Sequence, residues 1–450
     1  MRVLASIAAF CLLSAPAFGV YTVNLSTNED WQSAIQTLPF GTSVVNLAAG
    51  TYRCTNDHIK VTNGWTTIAG SGTNSCWIVA APTSRCLVIV GSTLTTGNGL
   101  TIQDITFTGG NVTGSGGGVA GIDGTHLITA IRCAFVSNSA TAYGGGAYQL
   151  LDTQCYYANN YCTQYGGGAA YCYGISNYAR WNVAGQGGGG LYQGRQTNSL
   201  YCCNTGFSIG GGTREVILDG CTVVSNWSSA YGGGAVGTAS RDSTFAWNLA
   251  PHGGGAYGFT MTNCDIHHNR ATNTVGGGVE GSILYGCRVS NNWAMTKGGG
   301  QNDGTAESTL FSDNYSLGNG SAAYVCVLRN CTIVGHTNAT TSTVHGQANE
   351  VNANVLMWGN TLNRIEGTTN VIACVTNADP LFIAGTCVPT ATNVVDSGVN
   401  DYATYALDAR GSNRIVNMTV DIGAYEKQAT EGEAPSAAAR RRLLFMLLGE

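Results

Sequence analysis

Residues 133–168 read CAFVSNSATAYGGGAYQLLDTQCYYANNYCTQYGGG. The same order of side chains occurs twice in that stretch, 22 residues apart. A cysteine (Cys133, Cys155) is followed two residues on by an aromatic (Phe135, Tyr157) and three further on by an asparagine (Asn138, Asn160). A short run then leads to Tyr143 or Tyr165 and three glycines. Repetition at a fixed period of a few tens of residues marks a chain built by stacking one structural unit on the next.

Outward from this stretch, triple glycines begin at Gly116, Gly144, Gly166, Gly187, Gly210, Gly232, Gly253, Gly276 and Gly298. The steps are 28, 22, 21, 23, 22, 21, 23 and 22 residues. A second column holds Asn138, Asn160, Asn182, Asn204, Asn226, Asn248, Asn269, Asn292 and Asn314. Three residues before each asparagine stands Phe135, Tyr157, Ala179, Tyr201, Val223, Phe245, Ile266, Val289 or Phe311. Apolar positions two apart, closed by a polar corner, describe a short strand with one face inward. Glycine at this density excludes long helices, each costing about 1 kcal/mol against alanine. A propeller needs blades of roughly 40–50 residues. The period therefore predicts an all-β, right-handed parallel β-helix of the pectin-lyase-like kind, with coils of about 22 residues. In that register the asparagines form a ladder at one corner. The cysteine column is interior, with stacked thiols preferred to disulfides.

The chain has 450 residues with 64 glycines, 7 prolines, 10% charged residues and a net charge of −5. Scarce proline and the lack of a Gly-X-Y period exclude collagen. A 44% hydrophobic content supports a buried core. Twenty lysines and arginines spread over the whole chain give no basic footprint for nucleic acid.

Residues 1–19 read as a signal peptide: Arg2, the apolar run Val3 to Leu13, then small residues at Ala17 and Gly19. No later stretch reaches the ~18 apolar residues of a membrane span. The expected location is extracellular or outer-surface associated. The β-helix is expected over 20–375, with regular repeats from about 110 to 335. A helix over 27–38 caps its first coil, with Thr27 and Asp30 as capping pair and an apolar face of Trp31, Ala34, Ile35 and Leu38. Residues 376–427 form a closing module, and 428–450 a tail. Sixteen cysteines follow the signal, an even number that an oxidising compartment can pair.

Phe135-x-x-Asn138, Phe245-x-x-Asn248 and Phe311-x-x-Asn314 alternate with Gly-Gly-Ala at Gly145, Gly233 and Gly254. This alternation resembles the repeat region of the polymorphic outer membrane proteins, bacterial surface β-helix adhesins. The resemblance implies surface display and adhesion. Those proteins end in a translocating β-barrel, and the alternating ~10-residue strands of one are not read here. Further on come Asp379-Pro380-Leu381-Phe382, Asp396-Ser397-Gly398, Leu407-Asp408-Ala409-Arg410-Gly411 and Asp421-Ile422-Gly423-Ala424-Tyr425-Glu426. That order resembles the choice-of-anchor module closing many exported bacterial β-helix proteins. It implies export and no catalytic role. Asp408, Arg410, Arg414, Asp421 and Glu426 are expected to pair and hydrogen-bond within it.

Polysaccharide-cleaving β-helices depend on particular sets of side chains. Hydrolases need paired carboxyls, and lyases a base beside carboxylate-held Ca²⁺. Asp265, His267 and Arg288 are the best local candidates. Asp265 and Arg288 fall on equivalent positions of adjacent coils, an arrangement that reads first as an ion-pair ladder. His267 and His268 are expected on opposite faces of a strand. No metal site and no cofactor are indicated. A second candidate is aromatic: Tyr143, Tyr165 and Tyr231 precede triple glycines, while Tyr148, Tyr192 and Tyr257 follow them. Repeated at one position, they form stripes that are either core or a surface for glycans or cell-surface proteins. Two functions stay open: an adhesin or presentation scaffold, preferred because no catalytic set is recognisable, and a carbohydrate-active enzyme (polysaccharide lyase or glycoside hydrolase).

Overall fold

The computed structural model describes residues 20–428 apart from 39–42, 55–58, 62–65, 90–98, 122–127, 337–341, 369 and 384–385. The expected signal peptide and nearly all of the tail lie outside the described residues.

The regular coils contribute to three sheets. In the coil containing Asn138, Ala134–Val136 lies in the first, Ser139–Ala140 in the second, and Ala147–Tyr148 with Leu150–Thr153 in the third. We call these the B, C and A sheets. Among the described residues they hold 14, 10 and 24 strands respectively. Fourteen B strands, one per turn, make about 14 turns of a parallel β-helix. Every strand pairing between coils among the described residues is parallel, and the register shifts at one place, between Tyr324 and Cys326 where they pair with His345 and Gly346. Phe107, Phe135, Tyr157, Ala179, Tyr201, Val223 and Phe245 lie directly above one another in the B sheet. All are buried, and the Phe107, Phe135 and Tyr157 rings stack at 5.5 and 4.9 Å.

The asparagine ladder closes the B–C corner. Asn182 Oδ1 accepts both the main-chain N–H and the side-chain amide of Asn160, at 3.0 and 2.9 Å. The Asn160 amide also donates to Phe135 O at 2.8 Å. The pattern repeats from Asn138 to Asn314 and then runs into a histidine. Asn314 Nδ2 lies 3.4 Å from His336 Nε2, and Asn360 Oδ1 takes the His336 main-chain N–H at 2.9 Å. The ladder holds the preceding residues, such as Ser225 (φ 55°) and Asp313 (φ 54°), in a left-handed conformation that L residues resist by roughly 1–2 kcal/mol.

The triple glycines form the C–A corner, where there is no room for a side chain. A Cβ on Gly211 would stand 2.2 Å from Gly233 O and 2.4 Å from Trp227 O. In the run of four glycines from Gly187, the left-handed corner residue is Gly188 (φ 67°), not Gly187. Counted from it, the neighbouring steps are 22 and 22, not 21 and 23. Gly187 instead bridges Tyr165 and Ile209 in the column before the corner.

The cysteine column is interior. Cys133, Cys155, Cys221, Cys264 and Cys287 are buried free thiols. Asn177 and Ser199 stand in the same column and join Gln196, Asp152 and Tyr157 in a buried polar network. Tyr157 donates to Asp152 Oδ2 at 2.7 Å, and burial pushes the Asp152 carboxyl up to about 6.

The N-terminal helix is shorter than the apolar pattern suggested, Trp31–Gln36. Its N-cap is Asp30, which accepts from Ser33 N at 3.2 Å, while residues 27–29 form a turn. Trp31 packs edge-on against Tyr52 at 5.6 Å and donates to Arg53 O, covering the first B strand, Gly50–Arg53.

After the last coils the chain folds back along their flank. Phe382, Cys387, Ala391, Val394 and Ile422 pack on the outward Leu310, Val334 and Leu356 of the B sheet. The segment from Val399 to Arg410 then runs down the A–B corner coil by coil, as a strap. Asn354 exchanges two bonds with the Val399 main chain at 2.8 and 3.0 Å. Asn330 donates to Tyr402 O at 2.8 Å. The buried Glu307 carboxylate accepts from Thr404 Oγ1 and Tyr405 N, both at 2.6 Å.

Candidate functional site

The six tyrosines singled out in the sequence lie on one edge, the C–A corner. The column before the glycines runs Tyr143, Tyr165, Gly187, Ile209, Tyr231, His252, each bridged to the next. The column after them runs Tyr148, Ala170, Tyr192, Arg214, Val236, Tyr257, Glu280. Where Gly187 leaves a gap in the first column, Tyr192 of the second fills it. Its ring stacks on Tyr165 at 4.6 Å and on Tyr143 at 5.9 Å.

Tyr171 completes this group and was not found from the sequence. It stands three residues after Gly168 in a left-handed conformation (φ 57°), which turns its ring back against Tyr143, Tyr148 and Tyr192 at 5.5, 5.6 and 5.6 Å. The signal was present in the same period, at Gln149, Gln193 and Glu215, all with positive φ. Burial raises the phenols of Tyr148, Tyr171 and Tyr192 above their ordinary range, so they stay neutral donors. The Arg214 guanidinium lies 4.7 Å from the Tyr165 ring centre and 5.6 Å from that of Tyr192. It also pairs with Glu215 at 3.1 Å.

Tyr231 and Tyr257 form a second group further along the edge. Their rings are 4.9 Å apart, and His252 lies 4.8 Å from Tyr231. His252 Nδ1 is 3.2 Å from Glu280 Oε2 on the next coil. Burial raises the Glu280 carboxyl, opposed by His252. The rings are thus neither core nor isolated. They support one another: Tyr192 is buried among its neighbours, the others are partly exposed, and Tyr231 is 38% exposed.

The second candidate set is partly gathered. Asp265 and Arg288 are register partners in the B sheet, as their spacing indicated. No ion pair joins them among the described residues; Arg288 instead acts electrostatically on Asp313, Cys387 and Tyr425. Asp265 Oδ1 is buried without a hydrogen-bond partner. His267 and His268 do not diverge. His268 occupies a left-handed corner (φ 54°), where strand alternation ends, and the two Nδ1 atoms meet at 2.9 Å. His268 then stacks on Trp247 at 4.3 Å. His267 is therefore tied to a neighbour and not brought to Arg288.

Three carboxyls of the closing module converge: Asp396, Asp421 and Glu426 each offer an oxygen within 4.8 Å of the others. Protein groups already occupy them: Asp396 accepts from the Asn417 amide at 3.3 Å, and the other two from the main chain. Asp421 accepts from Asp396 N and Lys427 N at 2.6 and 2.7 Å, and Glu426 from Asp421 N and Val416 N at 2.9 and 3.2 Å. Burial and the adjacent Asp421 push the Glu426 carboxyl up to about 8, so a proton relieves the like charges.

The fold places the chain among parallel β-helices of pectate-lyase-like architecture. No family model and no curated protein sequence matches it. Among solved structures it is similar to a mannuronic acid specific polysaccharide family 6 lyase from human gut microbiota (11% identity, 70% of this chain and 86% of that one, TM-score 0.42). It is similar also to a mannuronan C-5 epimerase A-module of Azotobacter vinelandii (14% identity, 76% and 93% covered, TM-score 0.30). A third is pectate lyase Pel9A (13% identity, 91% and 96% covered, TM-score 0.25). Likenesses at this level carry no argument about activity. No helix among the described residues is long and apolar enough to cross a membrane.

Proposed function

We propose that this is an exported, surface-exposed β-helix that binds glycans along its tyrosine edge, serving as an adhesin or presentation scaffold. The observation that carries this reading is the cluster of Tyr143, Tyr148, Tyr165, Tyr171 and Tyr192 with Arg214 across it. Rings stacked at close to the coil spacing of about 4.8 Å present a row of edges and hydroxyls along which successive sugar rings can lie. Because the solenoid is rigid, little chain entropy is lost on binding. Export rests on the pattern of residues 1–19, and display on the likeness of residues 376–427 to an anchor module.

The test is retention of the purified chain on immobilised neutral and acidic glycans. Tyr165→Ala combined with Tyr192→Ala is expected to weaken retention at least about tenfold, equivalent to ~1.4 kcal/mol. Tyr315→Ala, on the C sheet, is expected to leave it unchanged. Retention indifferent to the first pair, or none on any glycan, refutes the reading.

A second reading has its own observation. The His252–Glu280 pair between Tyr231 and Tyr257 is an oriented imidazole of the kind that moves protons in carbohydrate-active enzymes. New reducing ends or unsaturated products, lost in both His252→Ala and Glu280→Gln, would replace binding by catalysis.

A further inference from the structure

The B–C corner, away from the tyrosine edge, carries two imidazoles that strand alternation alone would have separated. His267 ends the B strand Asp265–His267 and is held between Ala246 and Ser290 of the neighbouring coils. His268 follows at φ 54°, its main-chain N–H donating to Ser290 O at 3.2 Å. That left-handed step turns the second ring back toward the first. The rings stand perpendicular, at 89°, with Nδ1 facing Nδ1 at 2.9 Å. Trp247 stacks on His268 at 4.3 Å and fixes the plane of that ring. His267 is half-buried and His268 exposed, so both rings reach solvent.

Two ring nitrogens of the same kind meet at that distance in one of two ways. A hydrogen bond needs one ring protonated at Nδ1 and the other bare, and a neutral bond in contact with water is worth little. A metal ion takes both lone pairs and leaves a proton on each Nε2. At a metal–nitrogen distance of about 2.0–2.1 Å, nitrogens 2.9 Å apart subtend about 90°. A tetrahedral ion needs them about 3.3 Å apart. The gap therefore matches adjacent corners of a tetragonal or octahedral ion, and imidazole suits Ni²⁺ and Cu²⁺ among these. The charges agree. Burial and the adjacent His267 lower the His268 pKa, so its ring is neutral at neutral pH, and Asp265 supplies the opposing negative charge. Arg270, two residues on, is turned onto the Trp293 ring at 4.4 Å. The other histidines among the described residues are engaged elsewhere: His252 by Glu280, His336 by Asn360 and His345 by Tyr324.

We propose that His267 and His268 form a two-histidine site for a divalent transition-metal ion of tetragonal or octahedral preference, Ni²⁺ or Cu²⁺, held through the two Nδ1 atoms. The coil stack fixes both main chains and Trp247 fixes one ring, so the ion meets a bite that is already set. With two protein ligands the remaining positions face water, which leaves them open to an outside donor. The site stands on a different corner from the tyrosine edge, and the two fail separately.

The experiment uses the full chain without added histidines, with Ni²⁺ as probe and Ca²⁺ as control, read by calorimetry and tryptophan fluorescence. Ni²⁺ spares the exposed Cys203 thiol, which Cu²⁺ would oxidise. One Ni²⁺ is expected to bind per chain with a Kd in the micromolar range, and Ca²⁺, which takes oxygen ligands, not at all. His267→Ala and His268→Ala are each expected to weaken binding at least about tenfold, with the thermal transition unchanged because neither ring holds the coil. Trp247→Phe is expected to keep the affinity and to lose most of the fluorescence quenching. Cys203→Ser is expected to change neither. Equal affinity in both histidine variants overturns the proposal. So does the absence of binding at millimolar Ni²⁺, which leaves the two rings a hydrogen-bonded pair only. A loss of binding in Cys203→Ser also overturns it, by moving the ion to the thiol.

Discussion

Replacing Asn226 by alanine cuts the asparagine ladder at its middle, and the cost follows from counting what is left without a partner. Asn226 Oδ1 accepts the Asn204 main-chain N–H and amide at 2.9 and 3.0 Å. Its own amide donates to Tyr201 O, Val224 O and Asn248 Oδ1 at 2.9, 3.1 and 3.1 Å. Three of these five partners keep other bonds: the Asn204 amide keeps Ala179 O, Asn248 Oδ1 keeps the residue 226 main-chain N–H, and Val224 O keeps the Cys203 N–H. Tyr201 O stays in the B-sheet ladder, so the Asn204 N–H is the group that loses its acceptor in a buried corner. At about 1–3 kcal/mol for an orphaned group, Asn226→Ala is expected to cost about 1–3 kcal/mol. Ser225→Gly is the control, since it touches the same corner but relieves a positive φ (55°), and it is expected to stay within about 1 kcal/mol of the parent. Urea unfolding followed by far-ultraviolet circular dichroism reads both. A loss below about 1 kcal/mol for Asn226→Ala, with an unchanged m-value, would refute the ladder's role.

Other expectations follow from the same structure. Burial depresses His336 to about 4 from its ordinary 6.5, so the unfolded chain binds the extra proton between those values. Stability should therefore fall as pH drops from 6.5 to 4, by about 3 kcal/mol in all, and His336→Asn should abolish that fall. Glu426 has the opposite sign: its folded value is raised to about 8 from 4.5, so its contribution is full below 4.5 and lost as pH rises to 8. Amide exchange over 408–427 should then quicken toward pH 8, and Glu426→Gln should flatten the dependence. Two glycines separate crowding from conformation. Gly211→Ala, with backbone oxygens 2.2 and 2.4 Å from the new Cβ, should prevent a cooperative thermal transition. Gly281→Ala, with open space but φ 61°, should cost only about 1–2 kcal/mol.

The fold was legible because periodicity survives translation into space almost unchanged. Once one coil is 22 residues, Phe135 must lie on Tyr157 and Asn138 on Asn160, and they do. The ladder beyond Asn314 was hidden because His336 breaks the residue type at a step of 22 and Asn360 breaks the spacing at a longer step of 24. Of the site, the tyrosine columns were readable, and Tyr171 was lost because its column is otherwise filled by Gln149, Gln193 and Glu215. The register of Asp265 and Arg288 was correct, and their ion pair was not. Register fixes Cα positions, whereas an exposed arginine is free to take rotamers that carry its guanidinium away from the register partner. The path of the strap has no period at all, and nothing local announces where Thr404 will land.

In a stack of coils, each layer touches only the layers above and below, so an open end can peel one turn at a time. The bonds from Val399, Tyr402 and Thr404 to Asn354, Asn330 and Glu307 abolish that freedom at the C-terminal end. They join residues 45, 72 and 97 positions apart and fasten three successive turns to one segment. The final turns must then open together, and a protease that severs the segment should restore fraying without touching a single strand. The fastening also imposes an order of events. Its anchor residues lie on turns that must already be stacked, so a segment synthesised after every turn it fastens is also the part that registers whether stacking is complete.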